Sequence, residues 1–279
     1  MLIGAMNHPG RPVLEEIGWM AAMKLDFIDL TLEPPAAAVW NIDLPRIRAA
    51  LDEQELQAVG HTAYYLPLAS PFESLRRAAI EELKHCLEAF SKLGVRWMNL
   101  HPDRHTPLHS REFMIQRNLE TFRELVSAGR NLGVGLMIEN LPGDLSTISL
   151  LSEWLQPLPE LGLHLDIGHS NLLLPENTAD EIITAFGTRL KHVHLHDNKG
   201  GAADLHLPLG TGTIDVARHV RALKHSGYDG TITLEVFTGD PHYLAYSRDV
   251  LRRLWDEAPA SPEAALDHRQ TTRVARCAC

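Results

Sequence analysis

Cysteine is scarce in this 279-residue chain, which contains three, and no apolar run approaches the ~18 residues needed to cross a bilayer. Cys86 lies in a helical pattern, whereas Cys277 and Cys279 stand at the very end, so they form no disulfide framework. Residues 1–6 enter a strand-like run without a basic segment or a cleavage site. We therefore expect a cytoplasmic protein that does not contact membranes.

Basic residues are also few, since 26 Lys and Arg stand against 36 Asp and Glu, and the formal net charge is −10. This balance argues against a broad basic surface and disfavours nucleic acid as a partner. Three bound dications would bring the charge to about −4, so the argument is weaker for a metalloenzyme. Histidine, in contrast, is abundant with sixteen residues, which directs attention to metal ligands.

A GxGxxG motif after the first strand is absent as well, which disfavours an open, doubly wound sheet. Strand-like and helix-like segments alternate eight times without a linker, an order typical of a parallel sheet closed into a barrel. We predict the α/β class and a single (β/α)₈ TIM barrel over residues 1–256, followed by a poorly ordered tail over 257–279. The predicted strands cover 2–6, 26–31, 58–62, 95–101, 134–140, 162–167, 190–196 and 231–237. The predicted helices cover 11–23, 43–57, 71–93, 110–132, 147–156, 178–187, 213–226 and 241–256.

Two of these helices carry the pattern of a capping box, in which a hydroxyl and a Glu three residues later satisfy each other's backbone amides. One pattern joins Ser70 to Glu73, and the other joins Thr178 to Glu181. We expect helices to start at these two positions.

The predicted strands alternate aliphatic and polar residues; in 191–196, for example, Val193 and Leu195 alternate with three His. Because side chains alternate faces along a strand, the aliphatic set faces the helices and the polar set faces the barrel interior. Active sites of barrels form at the C-terminal ends of the strands. The last inward residues of six strands are His61, His101, Glu139, Asp166, His194 and Glu235.

Imidazole and carboxylate ligands together suit Zn²⁺, Mn²⁺ or Fe²⁺. A lone inward His is more often a core residue and a lone strand-end Glu often a rim residue, but six strand ends in agreement predict a metal site. His169, Asp204 and His206 are further candidate ligands in loops. Asp204 and His206 have an alternative, purely structural role, which is to hold the loop before Gly210–Gly212 in place. His164 and His192 lie one layer deeper in the barrel, a position compatible either with the core or with hydrogen bonds to the metal ligands.

Seven short motifs resemble the AP endonuclease family 2 superfamily, whose xylose isomerase-like barrels include endonuclease IV and many sugar phosphate isomerases and epimerases. The resemblance covers residues 1–256 and is more specific for the superfamily than for the reaction. The motifs are Gly60–Tyr64, Asn99–Pro102, Ile138–Asn140, Leu165–His169, His194–Lys199, Asp204–Gly212 and Leu234–Glu235.

The resemblance to endonuclease IV implies nine ligands for up to three divalent ions, zinc or manganese. It implies one ion held by His61, His101 and Glu139, a second held by Glu139, Asp166, His194 and Glu235, and a third held by His169, Asp204 and His206. The simpler epimerases of the superfamily resemble this chain only in the second set, which implies one ion.

Two reactions fit these residues. In a hydrolase, clustered ions lower the pKa of a bound water to ~7 and stabilise the charge on a phosphodiester. In an isomerase or epimerase, one ion polarises a hydroxy-ketone, and the catalytic carboxylates of Glu139 and Glu235 flank the carbon that loses and regains a proton.

The loops favour the second reaction, because a DNA enzyme needs basic groups along the phosphates. Residues 33–40 contain no basic residue, whereas endonuclease IV-like proteins carry DNA-inserting basic residues there, and residues 169–177 contain no Lys or Arg. We predict a small sugar, sugar phosphate or polyol as substrate, with an endonuclease IV-like zinc phosphodiesterase acting on abasic DNA as the alternative. The oligomeric state stays open, and a homo-oligomer is compatible with the sequence. The predicted substrate contacts are Tyr64, Arg104, His196 and Lys199.

Overall fold

A computed structural model describes residues 1–104 and 108–259, and in these ranges eight strands alternate with eight α-helices. Every strand pairs in parallel with the next, and the first pairs with the last, so the sheet closes into the predicted (β/α)₈ barrel. The strands are β1 (Leu2–Met6), β2 (Phe27–Leu32), β3 (Gln57–Thr62), β4 (Trp97–Leu100), β5 (Gly135–Glu139), β6 (Gly162–Asp166), β7 (Leu190–Leu195) and β8 (Thr231–Leu234). The helices are α1 (Val13–Ala22), α2 (Leu44–Glu53), α3 (Glu73–Leu93), α4 (Arg111–Leu132), α5 (Ile148–Leu155), α6 (Ala179–Phe186), α7 (Val216–His225) and α8 (His242–Glu257).

The interior of the barrel is apolar at one end and polar at the other. Phe27, Val59 and Met137 form a small cluster of their own, separate from the main core between strands and helices. Two residues later on the same three strands stand Asp29, His61 and Glu139, all buried. Since alternate residues of a strand share a face, the polar groups lie one layer nearer the C-terminal end.

Neither predicted capping box forms. Helix α3 begins at Glu73 without a side-chain cap, and Ser70 Oγ instead accepts a hydrogen bond from Phe72 N at 3.2 Å. Thr178 precedes α6, but its hydroxyl donates to the carbonyl of Ser146 at 2.7 Å. The prediction was wrong because these side chains have other partners. The Thr178 hydroxyl hydrogen-bonds to Ser146, and the Glu73 carboxylate pairs with Arg76 and Arg77 of its own helix and with Arg117 of α4.

The last helix ends at Glu257, one residue beyond the predicted end of the barrel. Lys224 Nζ donates to the carbonyls of Trp255 and Ala258, both at 2.7 Å, and so ties the end of α8 to α7. Residues 260–279 of the predicted tail lie outside the described residues. Within the described part of the chain, no helix is both long and apolar enough to cross a membrane.

Candidate metal centre at the mouth of the barrel

The six predicted strand-end side chains converge at the C-terminal end of the barrel, and all six are buried. His101 Nε2 lies 2.9 Å from Glu139 Oε2, and His194 Nδ1 lies 3.2 Å from Glu235 Oε1. Their strands place them within one residue of the strand end. They are His61 on β3, His101 after β4, Glu139 on β5, Asp166 on β6, His194 on β7 and Glu235 after β8.

Two asparagines fix the strand ends that carry these groups. Asn99 accepts from Thr62 N at 2.7 Å and donates to Glu139 Oε2 at 3.1 Å, so one amide joins three strands. Asn140 accepts from Asp166 N at 2.7 Å and donates to its carbonyl at 2.9 Å. Because a side-chain amide both donates and accepts, each asparagine supplies hydrogen bonds between neighbouring strands where the backbone hydrogen bonds of the sheet end.

Glu139 is the centre of the cluster. Its carboxylate oxygens lie 2.9 Å from His101, 3.4 Å from His164, 3.4 Å from His169 and 3.8 Å from His61. Burial raises the pKa of this carboxyl, but His164 and His101 outweigh burial and hold it well below its usual range. The group is therefore ionised and has both oxygens directed at imidazoles, the arrangement that a bridging ligand needs.

The three loop candidates also come together. His169 Nε2 and His206 Nε2 lie 3.1 Å and 3.2 Å from the same oxygen of Asp204, and His206 Nδ1 lies 3.6 Å from Glu235 Oε2. Burial raises the pKa of Asp204, but hydrogen bonds from both imidazoles lower it below its usual range. His206 has a φ of 44°, a left-handed conformation that few non-glycine residues adopt.

Asp197 holds the loop that carries Asp204 and His206. Its carboxylate accepts hydrogen bonds from the backbone amides of Gly210 (3.0 Å), Gly212 (2.8 Å) and Ile214 (3.1 Å). A Cβ on Gly212 would lie 2.2 Å from Asp197 Oδ1, so only glycine allows this approach. Residues 210–214, at the end of this loop, are thus held by a residue outside the predicted ligand set.

Sequence reasoning missed Asp29, on β2. Its Oδ2 accepts from His194 Nε2 at 2.7 Å and from Thr233 Oγ1 at 2.8 Å, and His192 Nε2 lies 3.2 Å away. Burial raises the pKa of Asp29, but the two imidazoles hold it well below its usual range. With Nε2 donating to this carboxylate, His194 directs its Nδ1 towards Glu235. The signal was present, since β2 is buried at every position and Asp29 is its one charged residue.

Several buried polar atoms at the mouth have no hydrogen-bond partner among the described residues. They include Asp166 Oδ2, His194 Nδ1, His196 Nε2 and Glu235 Oε2. Such a group costs about 1–3 kcal/mol when it is left unsatisfied, and a divalent cation would satisfy several at once. Ligand atoms of three predicted residues, His61, His101 and Glu139, lie close enough to share one ion, and so do those of Glu139, Asp166 and His194. The residues present therefore fit divalent metal ions.

A cavity of about 480 Å³ opens above this cluster, and we call it the mouth cavity. Tyr64 and Arg104, two of the four predicted substrate contacts, line it. Lys199 is exposed away from it, and His196 is fully buried beneath it. Seven of the nine predicted metal ligands also line this cavity. They are His61, His101, Glu139, His169, Asp204, His206 and Glu235.

Curated proteins resemble the chain over about two thirds of its length, and two of them serve as examples. The uncharacterized protein MJ1311 of Methanocaldococcus jannaschii is 29% identical over 193 residues, which cover 66% of each chain. The probable endonuclease 4 of Thermotoga sp. strain RQ2 is 29% identical over 209 residues, 65% of this chain and 72% of the relative.

Among solved structures, a D-tagatose 3-epimerase-like protein superposes with a TM-score of 0.82 and 25% identity. The match covers 92% of this chain and 97% of the other. A sequence model of the xylose isomerase-like TIM barrel family matches residues 17–254, which contain every predicted metal ligand and all strands except β1. With its closed eight-stranded barrel and its strand-end His and carboxylate residues, the chain belongs to the xylose isomerase-like TIM barrel family.

Proposed function

We propose that the protein is a divalent-metal-dependent isomerase or epimerase of a small sugar or polyol, and that Glu139 and Glu235 transfer the proton. The proposal agrees with the D-tagatose 3-epimerase-like structure described above and with the small size of the mouth cavity.

The position of the two glutamates supports this reaction most directly. Both carboxylates are buried, both line the mouth cavity, and they approach Nδ1 of His194 at 3.8 Å and 3.2 Å. Glu139 comes from β5 and Glu235 from the end of β8, so they extend from different sides of the barrel. A sugar carbon placed between them would have one carboxyl group on each face.

The proposed metal ligands are those that the sequence predicted, with zinc or manganese as the ion because the donors are mixed imidazole and carboxylate. A bound divalent ion would polarise the carbonyl of a hydroxy-ketone and make the neighbouring C–H more acidic. The carboxylate on one face takes that proton, the C–H electron pair forms a carbon–carbon double bond, and the carbonyl oxygen takes the negative charge, which gives an enediolate. The carboxyl group on the other face returns a proton to the carbon, which inverts its configuration, and exchange with solvent resets the pair.

The walls of the mouth cavity fit a sugar. Tyr64, Tyr65 and Phe237 all line the cavity, so aromatic rings stand beside the polar ligand groups. Arg104 is the one Lys or Arg among the described residues that line the cavity. One cation suits a single phosphate or carboxylate of a small substrate, whereas a duplex needs a row of basic groups.

The alternative is a zinc phosphodiesterase acting on abasic DNA. It is favoured by one specific observation: His169 and His206 each lie within 3.2 Å of Asp204, although a one-metal proton transfer does not need these three residues. The Thermotoga relative described above points the same way.

Proton exchange in D₂O would test the proposal directly. The chain, stripped of metal and reloaded with Zn²⁺ or Mn²⁺, would be incubated with a panel of ketoses and ketose phosphates and followed by NMR. We expect deuterium at the carbon next to the carbonyl of at least one sugar, and none with Glu235→Gln. Glu88→Gln, an exposed change on α3, serves as control. The same metal-loaded protein would also be incubated with an abasic DNA duplex. Incision of that duplex, without deuterium in any sugar, would contradict the proposal.

A further inference from the structure

His196 has no role in the three metal sets described above, yet it lies among them. Its side chain is fully buried, and its Nε2 lies 3.5 Å from Asp166 Oδ1 and 3.5 Å from Asp204 Oδ1. Nε2 has no hydrogen-bond partner within the described part of the chain. The imidazole therefore places a buried, unsatisfied nitrogen between a residue of the second set and a residue of the third.

We propose that His196 is a direct ligand of the outer ion, the one that His169, Asp204 and His206 would hold. Donor atoms about 2.0–2.2 Å from a tetrahedral Zn²⁺ lie about 3.3–3.6 Å from one another. The separation of His196 Nε2 from Asp204 matches that spacing. Donor atoms of Asp166, His169 and His196 form one group that is compact enough for an ion, and those of His196, His206 and Glu235 form another.

The other ring nitrogen supports the same assignment. His196 Nδ1 faces the carbonyl oxygen of Asp197 at 3.4 Å. Metal-binding histidines usually donate their second N–H to a carbonyl or carboxylate, which leaves the first nitrogen free to bind the ion. The ring also stacks on His206, with centroids 4.2 Å apart, so two of the ligands hold each other in place.

Gly168 makes room for this imidazole. A Cβ at position 168 would lie 2.1 Å from His196 Nε2 and 2.3 Å from its Cε1. The backbone of Gly168 is right-handed helical (φ −68°, ψ −46°), a conformation open to any residue, so the requirement for glycine is steric. Glycine at position 168 thus allows His196 Nε2, the atom that we assign to the ion, to occupy its observed position.

The assignment changes the character of the outer site. Three protein ligands leave a tetrahedral ion one open position for water or substrate, as in catalytic zinc sites. With His196 added to His169, Asp204 and His206, four protein ligands close the shell, as in structural sites. A closed outer ion holds the mouth loops together and supplies no nucleophile, which fits the proposed proton transfer better than phosphodiester hydrolysis.

The test is a metal titration without substrate, so its result does not depend on whether the proposed reaction is correct. Zn²⁺ per chain would be counted after reloading, and the dissociation constant of each ion measured by competition with a chelator, for wild type, His196→Gln and Gly168→Ala. We expect both variants to bind one ion at least about 100-fold more weakly, more than the 10–100-fold that loss of an indirect partner costs. Circular dichroism would verify that both variants fold.

His219→Gln is the matched control, because His219 is a buried imidazole that pairs with Asp180 on the outer helices. It should keep all ions at wild-type affinity. If His196→Gln also kept every ion at wild-type affinity, the imidazole would be an ion-pair partner of its two carboxylates and the proposal would be wrong. Equal losses in the control and in His196→Gln would likewise overturn it, since any buried imidazole would then have the same effect.

Discussion

At the scale of single residues, the mouth of the barrel is dominated by four buried carboxylates that each contact an imidazole. Asp29, Glu139, Asp166 and Glu235 are each at most 6% exposed, and every one has an imidazole within 3.5 Å. A buried carboxylate is stable only when it is paired, hydrogen-bonded or bound to a metal ion. The side chains therefore depend on one another, and removing one charge should disturb the rest.

Glu139→Gln and Glu235→Gln should each lose bound metal and lower the melting temperature by more than about 5 °C. The reason is that each change removes one charge from a buried cluster, a loss that typically costs about 3–5 kcal/mol. Metal content by mass spectrometry and thermal melts with and without added Zn²⁺ would measure this. Full metal content and an unchanged melting temperature in both variants would refute the ligand assignment.

Asp29→Asn should weaken metal binding, although Asp29 belongs to none of the three predicted ligand sets. The amide no longer accepts the charge-assisted hydrogen bond that orients His194, and loss of such a partner typically weakens metal binding 10–100-fold. Thr233→Val is the control, because it removes another hydrogen bond to the same carboxylate and leaves that of His194 intact. The measurement is a chelator competition; equal effects of the two changes would mean that Asp29 acts through packing alone.

The sequence predicted the six strand-end residues because the alternation of inward and outward side chains along a strand is a local property. It did not predict the role of Asp29, since that role depends on contacts across the barrel from β2 to β7 and β8. His196 was assigned to the substrate on the strand period, but β7 ends at Leu195 and the next residue turns below the mouth cavity. Loop geometry of this kind depends on tertiary partners such as Gly168.

At the scale of elements, strand ends and loops contribute differently to the centre. Strands supply Glu139, Asp166 and His194 within a closed hydrogen-bonded sheet. The loop after β7 supplies Asp204 and His206, and Asp197 holds that loop through backbone amides. Loop ligands can therefore be changed without disturbing the sheet.

Asp204→Asn combined with His206→Ala should remove the outer ion and leave one tightly held ion with a measurable part of the sugar activity. The strand-borne set of Glu139, Asp166, His194 and Glu235 stays complete in this double variant. Metal content and turnover would be compared with Leu205→Ala, an exposed change between the two ligands. Loss of every ion and all turnover would show that the cluster works as one unit and would favour the hydrolase.

The elements themselves were predicted closely where hydrophobic periodicity is strong. Helix α3 was expected over 71–93 and occupies Glu73–Leu93, and α4 was expected over 110–132 and occupies Arg111–Leu132. The prediction for α2 was four residues too long at its C-terminal end, where Glu55 adopts a φ of 53° and turns the chain into β3. A left-handed residue other than glycine leaves little trace in a sequence.

At the scale of the whole molecule, the net charge of −10 and the single cation of the described cavity lining oppose DNA binding. We expect the affinity for an abasic duplex at physiological salt to stay in the non-specific range, a Kd of roughly 10⁻⁴–10⁻⁶ M. Fluorescence anisotropy against an undamaged duplex of equal length would measure it. Specific incision at nanomolar enzyme would overturn both this expectation and the preferred function.

The pairing of β1 with β8 also has a consequence for synthesis on the ribosome. Leu2 meets Thr231 in the finished barrel, so at 5–20 residues per second roughly 11–46 s separate the synthesis of the two strands. During that interval the backbone N–H and C=O groups on one edge of β1 have no strand partner, and an open edge is a template for association with other chains. We expect losses to aggregation to occur during synthesis, so that growth temperature and chaperone supply change the yield while buffer added after lysis does not.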